Sequence, residues 1–376
     1  MKSRIHFAWQ CRLSELGHRT GVSLHSHTSH SKETLDFIPR ITSHFALLRE
    51  ALRIYEARYR RIHGRELDYT SAWWTPPLGP REALLVERGQ IEEAGLNALV
   101  SISDHDNIEA PLLLRVLSEG GEVPISTEWT VPYRGVFLHV GFHNLPRRRA
   151  AERMAELSRF TANPQEKELE GLLEWLAEIP ETLVVLNHPY WDEKGVGQER
   201  HNQVVETFLF RYRRYIHALE LNGLRPWSEN RQTMGLASAR RIPLISGGDR
   251  HGSEPNALIN LSHGRSFDEF VAEVREDGYS VVAVMPQYRE PLTLRVILAI
   301  GDVMRDNDSH THGWRKWSDR VFYQREGGEA ESLSAIWARS KEPTLVKQFV
   351  AISRLMEHRR VKAGLRQLFP PVQEFS

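Results

Sequence analysis

Short apolar runs alternate with helical patterns along most of this chain, and this alternation restricts its fold more than any other feature. Pro80 can open a helix that ends at Gly95, and Ser266 with Glu269 forms a capping box. Such alternation predicts an α/β fold with parallel strands under covering helices, either a barrel or a doubly wound sheet. Seven apolar runs bounded by turn residues are typical of buried strands, and they span 21–24, 98–102, 136–140, 183–186, 218–221, 243–245 and 280–284.

Segments that depart from this strand–helix alternation predict the domain organisation. We expect an N-terminal segment at 1–20, a main α/β unit at 21–285 and a mostly helical C-terminal extension at 286–376. The main unit carries an insertion at 43–79, directly after its first strand. The extension begins where the last apolar run ends.

The insertion has a helical pattern followed by a tryptophan pair. Its apolar residues from Phe45 to Ile62 recur at spacings of three and four, which predicts one amphipathic helix. Because the insertion leaves the C-terminal end of the first strand, we expect it to cover the mouth of a site there. Trp73 and Trp74 offer large apolar surfaces for this purpose. Packing on the outside of the fold, or a dimer contact, is the alternative.

Charge and cysteine content restrict the partners and the location. The chain has 49 basic and 49 acidic side chains, so its formal net charge is zero. This balance argues against an extended nucleic-acid track or an anionic membrane surface and favours a small substrate. A single cysteine, Cys11, excludes an intrachain disulfide, and no run resembles a signal peptide or a membrane span. We therefore expect a cytoplasmic protein, with its oligomeric state left open.

Side chains that commonly bind metals follow almost every apolar run. Because the C-terminal ends of parallel strands meet on one face of a barrel, we expect these side chains to converge. His30 and His143 fit this pattern less closely, and Asp104 and Asp106 can either bind metal or orient their neighbours. The residues that fit it are His25, His27, His105, Glu128, His139, His188, Glu220, Asp249 and His251.

The local spacing of these residues also favours metal binding. His25 and His27 point the same way from an extended backbone, because a strand has a period of two, and Asp249 with His251 repeats the spacing. Mixed imidazole and carboxylate ligands suit Mn²⁺, Fe²⁺ or Zn²⁺ better than Ca²⁺ or Mg²⁺. The set is too large for one ion. The sequence therefore predicts two or three divalent metal ions, a centre that can create hydroxide at neutral pH.

Taken in order, the motifs resemble those of the PHP (polymerase and histidinol phosphatase) family over roughly residues 20–285. They are Leu24-His25-Ser26-His27-Thr28, Ile102-Ser103-Asp104-His105-Asp106, Glu128, His139, Asn187-His188-Pro189, Glu220 and Gly248-Asp249-Arg250-His251. The resemblance implies a distorted (β/α)7 barrel, with the inserted helical segment after strand 1 and the C-terminal extension as additions. It also implies phosphoester hydrolysis by a metal-bridging hydroxide.

The resemblance further implies how the ligands divide among the metals. A first and a second metal would share one bridging carboxylate, and a third would lie beside them. The implied ligands are His25, His27 and Asp249 for the first metal, a bridging Glu128 with His139 and His188 for the second, and His105 and His251 for the third.

The third metal is where the chain departs from the family. The family's usual Ser-Asp-Gly reads Ser31-Lys32-Glu33 here, and a charged lysine cannot ligate a metal. Either Glu33 substitutes for the aspartate, or the third metal is weak or absent and Lys32 binds substrate phosphate. Arg250, between two ligands, is a second candidate phosphate contact, with a salt bridge at the rim of the fold as the alternative.

The leading hypothesis is a metal-dependent phosphoesterase that acts on a small phosphorylated metabolite or nucleotide. His188 or His251 could transfer protons if metal does not fully occupy them. Two alternatives remain. One is a hydrolase of a non-phosphate bond on the same metal cluster, because fold and ligands do not fix the substrate. The other is a non-catalytic metal-binding or scaffold module.

Overall fold

The computed structural model describes residues 2–36, 38, 46–117, 120–307, 310, 312–324, 328–339 and 342–358, together with 361, 363, 364 and 367. Phe45, the first residue of the predicted insertion helix, lies outside the described residues. Among the described residues, no helix combines the length and apolar character needed to cross a membrane.

Fourteen strands and eleven α-helices lie in the described part of the chain. The strands are β1 (Lys2–Phe7), β2 (Thr20–Ser23), β3 (Glu33–Thr34), β4 (Ala72–Trp74), β5 (Asn97–Val100), β6 (Ile125–Tyr133), β7 (Val136–Leu145), β8 (Leu183–Asn187), β9 (Ala218–Asn222), β10 (Leu244–Gly247), β11 (Leu258–Ser262), β12 (Tyr279–Val284), β13 (Val321–Gln324) and β14 (Ala330–Ser332). The helices are α1 (Ala46–His63), α2 (Pro80–Glu93), α3 (Glu109–Leu114), α4 (Ala150–Ala162), α5 (Glu166–Ala177), α6 (Gln198–Tyr212), α7 (Trp227–Arg240), α8 (Phe267–Arg275), α9 (Leu292–Val303), α10 (Leu333–Ala338) and α11 (Thr344–Glu357).

All seven apolar runs of the sequence form strands, namely β2, β5, β7, β8, β9, β10 and β12. The helix signals hold as well: α2 begins at Pro80, and the Ser266 hydroxyl accepts a hydrogen bond from the Glu269 N–H (3.2 Å) at the start of α8. The N-terminal segment adds a strand that the pattern missed. β1 pairs in parallel with β12, from Lys2 opposite Tyr279 to Phe7 opposite Val284.

Two five-stranded sheets form the centre of the molecule, in the orders β1-β12-β11-β2-β5 and β10-β9-β8-β7-β6. The expectation of uniformly parallel strands is wrong for four pairs, because β11–β12, β11–β2, β6–β7 and β7–β8 are antiparallel. The β6–β7 hairpin has a local cause. Arg134 and Gly135 both take positive φ (48° and 86°), as a two-residue hairpin turn requires.

The two sheets meet without a continuous ladder between them in the described residues. Isolated bridges join Ser26 to Arg250 and His105 to Glu128. The Asn260 amide of β11 also accepts from the Ser246 N–H of β10 (2.8 Å), which ties one sheet to the other. The α/β class is therefore confirmed, whereas the closed (β/α)7 barrel stays a prediction.

A third, small sheet combines the insertion with the C-terminal extension. Its order is β14-β13-β4-β3, and all of its strand pairs are antiparallel. The predicted extension is thus not only helical, since it supplies β13 and β14. Strands of two to four residues are too short for a readable period of two, so the sequence pattern could not reveal them.

Candidate metal centre

The ends of β2, β5, β8, β9 and β10 place histidines and carboxylates at one point between the two large sheets, where β6 and β7 add two more ligands. The strand-end pattern predicted this convergence. Most of these side chains are buried, and the most exposed, those of His251 and His105, are only 17% and 16% exposed. The residues that meet there are His25, His27, Glu33, His105, Glu128, His139, His188, Glu220, Asp249 and His251.

Glu128 lies at the middle of this cluster. Its side chain is fully buried, and histidine nitrogens surround both of its carboxylate oxygens. Each oxygen faces a different set of rings, so this carboxylate is placed to bridge two ions. Oε2 lies 2.8 Å from His25 Nε2, 3.3 Å from His27 Nε2 and 3.4 Å from His105 Nε2, while Oε1 lies 3.3 Å from His139 Nδ1 and 3.1 Å from His188 Nε2.

Asp249 provides a second shared carboxylate. Its Oδ1 lies 3.6 Å from His25 Nε2, 3.5 Å from His27 Nε2 and 3.4 Å from His251 Nδ1. The Asn222 amide donates to its other oxygen at 3.2 Å. Asp249 therefore connects the His25–His27 pair to His251.

Glu33 lies where the family's aspartate is missing. Its Oε1 is 3.2 Å from His251 Nε2 and its Oε2 is 3.5 Å from His105 Nε2. The Ser31 hydroxyl donates to Oε1 (2.7 Å) and fixes the carboxylate. Glu33 is therefore placed among possible metal ligands, and its substitution for the aspartate stays a prediction.

Three of the candidate ligands have an unusual backbone conformation. His25, His188 and Asp249 have φ values of 61°, 23° and 54°, although none is glycine. Residues with side chains rarely adopt positive φ, and such strain clusters at functional sites. These three positions turn the chain sharply at the strand ends and aim the side chains into the cluster.

The donor atoms are spaced as ligands of shared ions would be. Two ligands at bond lengths of about 2.1 Å lie roughly 3.0 to 3.4 Å apart in octahedral or tetrahedral geometry. His27 Nε2 and His139 Nδ1 are buried and make no hydrogen bond, although each is 3.3 Å from Glu128. Four overlapping groups of three or four residues could each hold an ion, because the ligand atoms within each group lie within 4.8 Å of one another. Three of these groups include His25 or His27. The cluster is therefore a candidate site for divalent metal ions.

Electrostatics in the cluster follow from buried carboxylates beside imidazoles. Burial alone would lower the pKa of His25 and His139, but Glu128 and other carboxylates raise both well above the ordinary value. The same balance raises the pKa of His27 to about 9. Burial would raise the pKa of Glu128, but the surrounding histidines hold it well below its usual range. The carboxylates therefore favour protonated His25, His27 and His139 in the metal-free protein, whereas burial lowers the pKa of His105 to about 4.

Metal binding should release protons, because imidazole ligates only when neutral. With a pKa of about 9, His27 is protonated at pH 7.5 in the metal-free protein and must lose this proton to an incoming ion. The apparent metal affinity should therefore fall as the pH drops below about 9. Calorimetric titration with Mn²⁺ in two buffers of different ionisation enthalpy measures the released protons. A binding enthalpy that is independent of the buffer would contradict this expectation.

Further carboxylate and amide contacts hold the ligands of the cluster in place. Glu220 accepts from His25 Nδ1 (2.5 Å) and from the His188 N–H (2.8 Å), and the Asn187 amide donates to Glu128 (2.9 Å). Glu193, 2.9 Å from His139 Nε2, was missed because it lies in a loop without a spacing signal. Carboxylates on the far nitrogen of a ligating histidine fix its tautomer and orientation.

The residues that the sequence left open lie outside the cluster. Asp104 accepts from the Thr28 N–H and hydroxyl, and Asp106 accepts from the Thr130 N–H, so both orient the backbone. His143 bonds the Ser101 hydroxyl, and burial lowers its pKa to about 3. His30 pairs instead with Glu109 (2.9 Å), beside the ring of His312.

The two candidate phosphate contacts have different environments. Arg250 is 4% exposed and donates to Glu87 (2.8 Å), to the Gly252 carbonyl and to the His27 carbonyl. These bonds position the loops of His27 and Asp249 through a buried salt bridge, and contact of Arg250 with substrate stays a prediction. Lys32 is exposed, with Nζ 5.4 Å from the ring centre of Trp73, and its contact with substrate stays a prediction.

Arg225, in the loop after β9, is a cation at the cluster that the sequence did not single out. Its guanidinium stacks on the Trp191 ring at 3.7 Å, and one of its nitrogens lies 4.0 Å from Asp249 Oδ2. Its buried Nε has no hydrogen-bond partner, and its side chain is 15% exposed. The signal that could have found it is its position, three residues past Asn222 at a strand end.

Trp74 is the part of the insertion that reaches the cluster. Its ring centre lies 5.9 Å from that of His251. The pairing of β4 with β3 brings it there, because Trp74 lies opposite Glu33. Trp74 thus places one residue of the insertion beside the cluster, while the expectation that the whole segment covers the mouth stays a prediction.

No protein-family model and no curated protein matches this chain. Among solved structures, an amidohydrolase from Chromobacterium violaceum is 12% identical, with a TM-score of 0.35 over 47% of this chain and 83% of its own. PsfC from Pseudomonas syringae is 14% identical, with a TM-score of 0.38 over 55% and 83%. A supposed metal-dependent phosphoesterase from Bifidobacterium adolescentis is 15% identical, with a TM-score of 0.32 over 53% and 91%. TM-scores this low do not support an inference about function. Any such inference depends on the side-chain geometry of the cluster.

Proposed function

We propose that this chain is a metal-dependent phosphoesterase of the PHP type that hydrolyses a small phosphorylated metabolite or nucleotide. The observation that carries the proposal is the cluster itself, in which five histidines surround the buried Glu128. A purely structural site does not need so many titratable groups in one buried place. Strained backbone at His25, His188 and Asp249 supports a functional role for the same point.

The two large sheets would correspond to a distorted (β/α)7 barrel. The isolated bridges at Ser26–Arg250 and His105–Glu128 support this proposal, because they lie where the two sheets approach each other. The side chain of Asn260 supplies a further link, between β10 and β11.

The residues of the cluster would bind three metal ions. His25, His27 and Asp249 would hold one ion, and Glu128 would be shared with a second ion at His139 and His188. Glu33, His105 and His251 would hold a third. Bound ions of this kind lower the pKa of water and neutralise charge on the oxygens of a displaced ester.

Cations at the rim favour an anionic substrate over a neutral one. Arg225 can donate its unpartnered Nε–H and a terminal N–H to two phosphoryl oxygens, and stacking on Trp191 holds its plane. The Lys32 ammonium lies over the Trp73 ring and would attract the negative charge of the phosphoryl group at longer range. Phosphoester hydrolysis fits these groups better than cleavage of a neutral amide.

His251 or His188 would transfer a proton to the leaving group only in a state in which no metal ion occupies its ring nitrogen. His251 is the more accessible of the two, with 17% of its side chain exposed against 6% for His188. Its Nδ1 lies 2.9 Å from the Asp249 carbonyl and its Nε2 faces Glu33. This arrangement holds the ring at the open side of the cluster, where a leaving group would depart.

A direct test is hydrolysis of a panel of phosphorylated metabolites and nucleotides by protein that has been stripped with a chelator and reloaded with Mn²⁺, Fe²⁺ or Zn²⁺. We expect phosphate release that requires the added metal. Release from neutral amides or esters instead would favour the second hydrolase hypothesis. Bound metal with no hydrolysis in either panel would favour a non-catalytic module.

Replacing Arg225 should weaken substrate binding without removing metal. We expect Arg225→Ala to lower kcat/KM by about 10²-fold, which is about 2.7 kcal/mol, through loss of a charge-assisted bidentate contact. Arg200→Ala, which removes an exposed arginine of helix α6, is the matched control. Metal content should equal that of the unmodified protein. Equal kcat/KM in the two variants would contradict a role for Arg225 in anion binding.

A further inference from the structure

We infer that the C-terminal extension is part of the metal centre and controls occupancy of the position formed by Glu33, His105, His251 and His27. The inference depends on the metal centre proposed above, but not on the identity of the substrate. Two separate parts of the extension contact elements next to the cluster, and each supports a different ligand of this one position.

The first contact fixes Glu33 through the small sheet. β3 has only two residues, and Glu33 lies opposite Trp74 of β4. On its other edge β4 pairs with β13, where Val321 lies opposite Trp74 and Phe322 opposite Trp73. A two-residue strand has little stability of its own, so the geometry of Glu33 depends on a sheet whose other strands include β13 and β14.

Side-chain packing and a buried arginine anchor β13. The Phe322 ring stacks on Trp73 (5.7 Å between centres) and meets Trp314 edge-on (5.4 Å). Arg320, 1% exposed, donates to the carbonyls of Val303 and Arg305 at the end of α9. The small sheet is therefore tied to the first helix of the extension.

The second contact fixes the loop that carries His251. Asp302, in the last turn of α9, is 5% exposed and accepts from the Ser253 N–H at 3.1 Å. This bond comes two residues after His251. The pocket is tight there, because a Cβ atom added to Gly252 would lie 3.2 Å from the same Asp302 oxygen.

Most ligands of the other positions come from the two large sheets, although the extension also contacts nearby loops, because the His312 ring meets that of His30 and Arg295 donates to the Gly223 carbonyl. Glu128 and His139 come from β6 and β7, and His25 and His188 follow β2 and β8, all in the two large sheets. The extension therefore supports one position more directly than the others, through Glu33 and the loop that carries His251. Loss of its contacts should release one ion and leave the others bound.

The experiment compares Mn²⁺ binding by Asp302→Ala, Asp302→Asn, Phe322→Ala and the unmodified full-length chain. Binding is followed by electron paramagnetic resonance of free Mn²⁺, and metal content by elemental analysis after desalting. Asparagine can still accept the hydrogen bond from the Ser253 N–H but carries no charge. Asp302→Asn therefore distinguishes loss of this hydrogen bond from loss of the negative charge. Arg354→Ala, which removes an exposed ion pair of the extension with Asp306, is the control.

We expect three ions in the unmodified chain, with the weakest one bound 10–100-fold less tightly in Asp302→Ala and Phe322→Ala, as is typical when a residue that supports a ligand is lost. The other two affinities should stay within twofold, and Asp302→Asn and Arg354→Ala should match the unmodified chain. Thermal unfolding checks that each variant is folded.

Two results would overturn the inference: unchanged affinities in both Asp302→Ala and Phe322→Ala, or an equal loss of all ions in a folded variant. An unmodified chain that binds only two ions would overturn it as well. The proposed function fails differently. Three bound ions without phosphate release would contradict the phosphoesterase and leave this inference standing, whereas an unmodified chain that binds no ion would overturn both.

Discussion

Glu128→Gln should abolish metal binding at two positions together and remove nearly all activity. Glutamine keeps the size of the side chain but cannot offer two anionic oxygens to ions on both sides. Five histidine nitrogens lie within 3.4 Å of this carboxylate, so its two oxygens face more of the candidate ligands than Asp249 does. We expect kcat/KM to fall by about 10³-fold or more, beyond the roughly 10–100-fold typical of residues that only support a ligand.

Glu193→Gln is the graded control for this prediction. Glu193 touches only the outer nitrogen of His139, at 2.9 Å, and its side chain is 23% exposed. Replacement of Glu193 should lower metal affinity by about 10–100-fold, because the shared ligand Glu128 stays in place. Elemental analysis and kcat/KM of the two variants show whether loss of Glu128 is more severe than loss of Glu193. Similar losses in both would mean that Glu128 does not bridge two ions.

Asp249→Asn should also remove most activity, while leaving the fold close to that of the unmodified protein. Asp249 Oδ1 faces three histidines, and asparagine cannot supply the negative charge that holds the ions. Its φ of 54° tolerates asparagine much better than alanine. Asp249→Ala should therefore lose the same activity and, in addition, lower the free energy of unfolding by about 1–2 kcal/mol.

The comparison of the two Asp249 variants separates charge from backbone strain. Metal content and kcat/KM should be equally low in both, and denaturant unfolding of the metal-free proteins should rank Asp249→Asn as the more stable. Retention of activity by Asp249→Asn would show that the carboxylate charge is dispensable. Equal stability of the two variants would argue against strain at this residue.

Much of the candidate site could be read from the sequence because strand chemistry and ligand chemistry leave a common signal. His25 and His27 are two residues apart, and Asp249 and His251 repeat that spacing, although the positive φ of His25 (61°) and Asp249 (54°) corrects the expectation of an extended backbone there. Both pairs come directly after apolar runs, where the ends of neighbouring strands meet. These pairs and the other strand-end ligands lie together in the structure.

The missed features depend on tertiary structure that no local pattern records. Glu193 and Arg225 lie in loops, and only the folding of those loops brings them to His139 and Asp249. The antiparallel pairs went unrecognised as well, although the Arg134-Gly135 turn gave a local clue. The small sheet pairs strands that are far apart in the chain, such as β4 and β13, and each of them is too short to predict.

The choice between Lys32 and Glu33 also needed the structure. From the sequence, a lysine in place of the family's aspartate left the third metal in doubt. Pairing of β3 with β4 turns Glu33 toward His105 and His251, while Lys32 extends over Trp73. The pairing of Glu33 with Trp74 therefore accounts for the direction of Glu33, whereas Lys32 lies outside this two-residue strand.

The most direct test of the metal centre is anomalous diffraction from crystals of the full-length protein grown with Mn²⁺. We expect anomalous peaks within about 2.3 Å of ligand atoms, two flanking Glu128 and a third between Glu33 and His251. Peaks elsewhere on the surface with none at the Glu128 carboxylate would contradict a metal centre at this cluster. So would a cluster closed by direct histidine–carboxylate hydrogen bonds in the presence of excess Mn²⁺.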